Sequence, residues 1–354
     1  QYDDLTLEKM LAGKTASVSP FIDDETEGMT GSSNVKDTQT LLELIHLYFT
    51  QPRKDPEAFR NLMEQQDEFL TNAHVNPMIA YNDTLHKVAY ATDRLESMNK
   101  KLLKKVSYDR IMQIYKERFA NAADFKLILT GNIDLDRLRP LLCQYMATLP
   151  ANDTFEQVGT KGANLIDGEK VHIFTKEQTT PSATTTIVIK GKMAYNNRND
   201  LLMDAIGQLL RIVYTDKVRE EKGGTYGVQA SGSLQHHPYD EAMLRIAFQT
   251  DPKKYRELIP IIYEQLHKMA DEGPTQEDLD KVKAYELKVY NQVLRMNNYW
   301  EYVVYNDLFN GIDVDTDFRS IVESMTCEEI RNTLRQLLNQ KNCIEVTMTQ
   351  KTPT

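Results

Sequence analysis

Residues 106–130 read VSYDRIMQIYKERFANAADFKLILT, and residues 325–349 read MTCEEIRNTLRQLLNQKNCIEVTMT. The two align without a gap at an offset of 219 residues, Val106 against Met325. Each places a hydroxyl residue, Ser107 or Thr326, just before a helical pattern, with Asp109 or Glu328 and Glu329 in the first turn. Such a hydroxyl accepts a hydrogen bond from an otherwise unpaired N–H, and acidic residues suit the positive end of the helix dipole. Apolar residues then recur at helical spacing: Ile111, Ile114 and Tyr115 against Ile330, Leu334 and Leu337. After a short polar turn the period drops to two, with Phe125, Leu127 and Leu129 against Ile344, Val346 and Met348. That alternation predicts a half-buried strand in both copies.

A second pair lies earlier. Residues 35–49, VKDTQTLLELIHLYF, match residues 248–266, FQTDPKKYRELIPIIYEQL, with Asp37 against Asp251 and Glu43 against Glu257. The offset here is 214 residues, so one net insertion of five separates the blocks. Matching order and near-constant offset read as an internal duplication. At 354 residues the chain is also long enough for two domains, each of roughly 150–190 residues. The expected division is a first domain over 1–150, a polar linker over 151–170 (ANDTFEQVGTKGANLIDGEK), and a second domain over 171–354. Each copy mixes strands and amphipathic helices, so the fold class is α+β: two duplicated domains with antiparallel-rich sheets and helices packed on one side. The second copy opens with two strands, VHIFTK and TTTIVIKG, and a helix from about Asp200 to Glu221. The same offset places the counterparts of both strands and of most of that helix before residue 1, so the first copy is expected to be incomplete at its N-terminal side and the chain to be a fragment.

Composition narrows the function. Apolar residues at 41% and charged residues at 27% are those of a globular domain, and no apolar run approaches membrane-span length. A net charge of −10 argues against a nucleic-acid partner. The three cysteines, Cys143, Cys327 and Cys343, form no C-x-x-C pair, so they are expected as buried free thiols rather than a zinc site. None of the seven histidines begins an H-E-x-x-H or H-x-x-E-H pattern, and His236–His237 sits in a turn. No compartment follows from the N-terminal residues; periplasm and cytoplasm both remain open.

The remaining informative stretch is KVREEKGGTYGVQASGSL, residues 217–234. A buried helix runs into Gly223 and Gly224 and then a strand, with Arg219 before the joint and Tyr226 after it. The duplication supplies a control: Arg219 and Tyr226 map to Leu5 and Ala12, whereas Gly227 maps to Gly13. The fold therefore keeps the glycine without needing the Arg or the Tyr. Two readings stand. One is a helix-end arginine, solvated or paired, and a tyrosine that merely begins a strand. The other is a substrate clamp, since a guanidinium donates to a peptide carbonyl and a tyrosine hydroxyl can stabilise an oxyanion.

This R-x6-Y pattern, after a buried helix and in the later of two duplicated α+β domains, resembles the C-terminal half of insulinase/pitrilysin-type zinc metallopeptidases, which include the processing peptidases. Residues 50–70, TQPRKDPEAFRNLMEQQDEFL, also look like that family's non-catalytic domains. The resemblance covers nearly the whole chain. The short motif gains its specificity from the duplicated topology around it. It implies a processing-peptidase/LuxS-like metallohydrolase fold in which two halves enclose a peptide. It implies zinc on an H-x-x-E-H helix of the other half, absent from this sequence. Tyr226 would donate to the scissile carbonyl, Arg219 would bind a substrate carbonyl, and Gly223 and Gly224 would let the substrate come close. The implied partners are a peptide and an N-terminal zinc-binding half or partner subunit. The alternative function is a non-catalytic scaffold with the same fold; a third is a module that adds a bound strand to a sheet edge.

Overall fold

The computed structural model describes residues 2–23, 25–73, 75–90, 95–156, 159, 164–222 and 225–350, with all side chains among them except those of Asp4 and of residues 218–222, 225 and 226. The elements run in the order α1 (Asp4–Met10), β1 (Ala16–Ile22), β2 (Glu27–Ser33), α2 (Thr38–Thr50), α3 (Pro56–Ala73), α4 (Pro77–Ala89), α5 (Lys100–Leu103), α6 (Tyr108–Arg118) and α7 (Leu135–Leu141). They continue with β3 (Glu169–Lys176), β4 (Ala183–Lys192), α8 (Asn197–Lys222), β5 (Thr225–Gln235), β6 (Glu241–Thr250), α9 (Tyr255–Glu272), α10 (Gln276–Val293), α11 (Asn297–Asn310), α12 (Phe318–Ser324), α13 (Cys327–Leu338) and β7 (Cys343–Gln350). This is an α+β fold with antiparallel-rich sheets.

The aligned segments take the same element types in the same order. α6 and α13 start at the predicted caps. Ser107 accepts from the N–H of Arg110 at 3.4 Å, and Thr326 forms a reciprocal capping box with Glu329. The β1–β2 hairpin corresponds to β5–β6, and α2 to α9. The aligned glycines Gly13 and Gly227 both have positive φ, +80° and +102°, a backbone region that side-chain-bearing residues disfavour. One expectation fails: Phe125–Leu129 lies outside any strand. In the second copy β7 is hydrogen-bonded between β3 and β4, and among the described residues no strand of the first copy pairs with Phe125–Leu129. Without a ladder partner, alternation alone does not make a strand. Phe125 still packs its ring, edge-on to Phe49 at 5.0 Å and stacked on Phe119 at 5.5 Å.

The chain divides into two compact units, and the division departs from the expected 1–150, 151–170 and 171–354. One unit holds residues 1–73 and 98–162; the other holds 74–97 and 163–354. In the first, α2 covers the hairpin through Val18, Leu41 and Leu44. In the second, a five-stranded sheet has the order β3-β7-β4-β6-β5, antiparallel except for β3 against β7. Its inner face, with Ile187, Ile189, Leu244 and Ile246, packs on α8, α9 and α13 through residues such as Leu209, Ile262 and Leu334. Its other face, with Ile344, Val346 and Met348, is covered by Tyr81, Leu85, Val88 and Ala89 of α4. Burying each such side chain contributes about 1.5–3 kcal/mol, and this is why α4 belongs to the second unit despite its place in the sequence.

Candidate functional site

The joint singled out in the sequence lies where α8 ends and β5 begins. α8 is predicted over Asp200–Glu221 and spans Asn197–Lys222. Met203, Ile206, Leu209, Leu210 and Tyr214 on it are fully buried. Two glycines bring it directly onto the strand. A Cβ at Gly232 would lie 1.9 Å from the carbonyl oxygen of Met203, and one at Gly207 would lie 2.6 Å from the backbone nitrogen of Gly232. Helix and strand backbones therefore touch, and the chain end of one feeds the start of the other across two residues.

Arg219 falls in the last turn of α8 and Tyr226 is the second residue of β5. Their side chains, and Gly223 and Gly224 entirely, lie outside the described residues. What is described is the backbone around Tyr226. β5 pairs with β6 at Thr225↔Thr250 and next at Val228↔Phe248, so the strand bulges through Tyr226 and Gly227. Gly227 takes the positive φ that such a bulge accommodates. Bulges re-aim side chains and gather next to functional sites.

Sequence reasoning overlooked the surface beside this joint. β5 is the terminal strand of its sheet, so its far edge has no ladder partner among the described residues. On the face away from the core, Gln229, Ser231, Ser233 and Gln235 of β5 and Arg245 and Gln249 of β6 are exposed. Their signal was the alternation of polar and small apolar residues in QASGSLQ, residues 229–235. The result is a strip of neutral hydrogen-bonding side chains with one guanidinium, next to an open strand edge. That chemistry suits an extended peptide, whose own backbone pairs with a strand.

The histidines do not converge. His236 Nδ1 lies 2.7 Å from Asp240 Oδ1, and Asp240 Oδ2 accepts from the N–H of Tyr195 at 2.9 Å. That backbone bond, ahead of the His236 contact, holds the Asp240 carboxyl below its ordinary range. His46 Nδ1 meets the carbonyl of Tyr145 at 2.7 Å. Among the described residues no group of three or more His, Cys, Asp or Glu could hold a metal ion, so these residues do not fit a zinc site. All three cysteines are free, but Cys143 is exposed and the other two are half-buried, contrary to the expected burial. Among the described residues no helix is long and apolar enough to cross a membrane.

The fold is thus a pair of α+β units with antiparallel-rich sheets. The chain belongs to the peptidase M16 family: the peptidase M16 inactive domain matches residues 105–285, half of the chain. It is similar to the probable zinc protease PqqL of Escherichia coli, 19% identical over 94% of this chain and 36% of that protein. The chain thus spans about a third of the length of that relative. The crystal structure of PqqL superposes with a TM-score of 0.85 at 17% identity, over 98% of this chain and 39% of PqqL. The separately solved first half of PqqL also has this fold, with a TM-score of 0.74 at 13% identity over 98% of this chain and 78% of that one. At these identities the structural likeness establishes the fold alone.

Proposed function

We propose that this chain is the substrate-binding, non-zinc half of a zinc-dependent metalloendopeptidase that encloses peptides. The observation that carries the reading is the α8–β5 joint. Both copies of the repeat keep its positive-φ glycine, and only the second copy adds Arg219 and Tyr226. In this reading Tyr226 donates to the carbonyl oxygen of the scissile bond as negative charge develops there, and Arg219 holds a neighbouring peptide carbonyl. Gly223 and Gly224 admit the peptide backbone, and the open edge of β5 with its polar strip orients the chain on either side. Zinc, carried on the other half or on a partner chain, supplies the activated water and the Lewis acid. This chain's share of the work is binding, alignment and one oxyanion donor.

Two measurements test it. Elemental analysis of the isolated chain is expected to find no stoichiometric zinc; one tightly held zinc per chain, lost on replacing its own histidines, overturns the assignment. Mixing the chain with the H-x-x-E-H polypeptide encoded with it is expected to produce peptide cleavage that neither shows alone. A polypeptide partner without that motif, bound stoichiometrically and without hydrolysis, indicates a scaffold instead.

A further inference from the structure

The helix α11 does not behave as a surface helix. Trp300, Tyr302, Val304, Tyr305, Leu308 and Phe309 are 37–47% exposed, and its one buried residue is polar, Asn306. Large apolar side chains all round a helix are the signature of one packed on more than one side. A patch of this kind on a solvent-facing element marks a contact surface.

The internal repeat says what kind of surface it meets. Residues 81–93, YNDTLHKVAYATD, align with residues 305–317, YNDLFNGIDVDTD. Tyr81 corresponds to Tyr305 and Leu85 to Phe309, so α4 and α11 are the same element of the two copies. In α4 the pair is buried. Tyr81 is 2% exposed, and its hydroxyl donates to Thr186 Oγ1 at 2.7 Å with the carbonyl oxygen of Val346 at 3.2 Å. Leu85 packs with it on the strand residues Ile344, Val346 and Met348. The seat of α4 is thus the outer face of a β-sheet of this fold, read by one tyrosine through a threonine hydroxyl and a main-chain carbonyl. In α11 the corresponding rings are already preassembled: Tyr305 and Phe309 stack at 4.5 Å with 24° between planes, one helical turn apart.

We propose that the Tyr305/Phe309 face of α11 docks on the outer face of a β-sheet of this same fold, carried by polypeptide outside residues 1–354. The occupant is argued from two observations. The sister helix sits on such a sheet, and the separately solved first half of one relative carries this same fold. The inference rests on the two-half reading above, because the zinc-bearing polypeptide is the source of that sheet.

The probe is the H-x-x-E-H polypeptide encoded with this chain, carrying a fluorescent label, and its anisotropy reads association. Tyr305→Asp and Phe309→Asp are each expected to weaken association by about 100-fold. Both positions are exposed, so the melting temperature of the isolated chain stays unchanged. Association and peptide cleavage with wild-type affinity in both variants overturn the docking surface while leaving the two-half reading intact. Association that both variants weaken, without any peptide cleavage by the wild-type pair, does the reverse. No association overturns the occupant. Self-association of the chain alone, abolished in both variants, replaces that occupant with a second copy.

Discussion

At the scale of single residues, the clamp and a plain structural role for Arg219 and Tyr226 predict opposite patterns. Tyr226→Phe removes one hydroxyl and keeps the ring. In the reassembled peptidase it is expected to lower kcat by about 100-fold or more, the cost of losing one oxyanion donor, while the melting temperature hardly moves. Arg219→Ala is expected to raise KM and lower kcat together, since a charged hydrogen bond to the peptide is lost throughout the reaction. A fall in melting temperature with unchanged activity per folded molecule would assign both residues to structure. A different residue carries a pH signature. Burial, with Asp204 beside it, pushes the Asp200 carboxyl up to about 6, against one hydrogen bond from the N–H of Leu234 that pulls it down. A carboxyl raised in the folded state costs nothing while both states are protonated. The cost grows as pH rises from the ordinary carboxylate range to about 6 and is complete above it. Asp200→Asn keeps an acceptor for Leu234 and removes the charge. It should raise stability to urea at pH 7–8 by up to about 3 kcal/mol and leave it unchanged near pH 3; equal effects at both pH values would contradict a buried, proton-linked carboxyl.

Among the elements, the contact between α8 and β5 is the one that positions the joint. Gly232→Ala would drive a methyl group into the carbonyl of Met203, which is backbone and cannot rotate aside. Overpacking of this kind costs about 1–3 kcal/mol. The same shift should reduce turnover in the reassembled peptidase, because helix end and strand start move apart; chemical denaturation and kcat on the same preparation read both. The helix caps offer a cleaner comparison. Thr326 and Glu329 satisfy each other's backbone N–H groups, whereas Ser107 makes a single long bond. Thr326→Ala should therefore cost about 1 kcal/mol in a urea titration, and Ser107→Ala distinctly less. Equal losses would mean that the reciprocal cap adds nothing.

For the molecule as a whole, the decisive feature is that residues 74–97 belong with 163–354. Burial pushes the Tyr81 hydroxyl up to about 12, so it remains a donor throughout the physiological range and its bonds to Thr186 and Val346 do not titrate. Residues 163–354 produced alone would leave Ile344, Val346 and Met348 bare on one face of the sheet. That polypeptide is expected to bind a hydrophobic dye and to aggregate on concentration. Supplying residues 75–97 as a separate peptide should suppress both effects, and a peptide carrying Tyr81→Ala should not. A soluble, dye-negative 163–354 would show that α4 is dispensable to its sheet.

The sequence by itself determined α6, α8 and α13, the caps of α6 and α13, and the duplication. Ser107 and Thr326, the 3.6-residue spacing after them, and the aligned glycines Gly13 and Gly227 each act within one or two turns of chain, so local pattern suffices. The family resemblance was legible for the same reason, since it rests on a motif embedded in a repeated order of elements. What local pattern could not decide is where partners lie. Phe125–Leu129 alternates as well as Ile344–Met348 does, yet only the second finds strands on both sides. α4 reads as part of the first copy, yet its apolar face is buried by strands more than 250 residues further on, as Tyr81 and Val346 attest. The polar strip of β5 and β6 and the bulge at Tyr226–Gly227 likewise exist only once register is set between two strands. Pairing and burial are properties of groups distant in sequence, so the tertiary structure alone decided them.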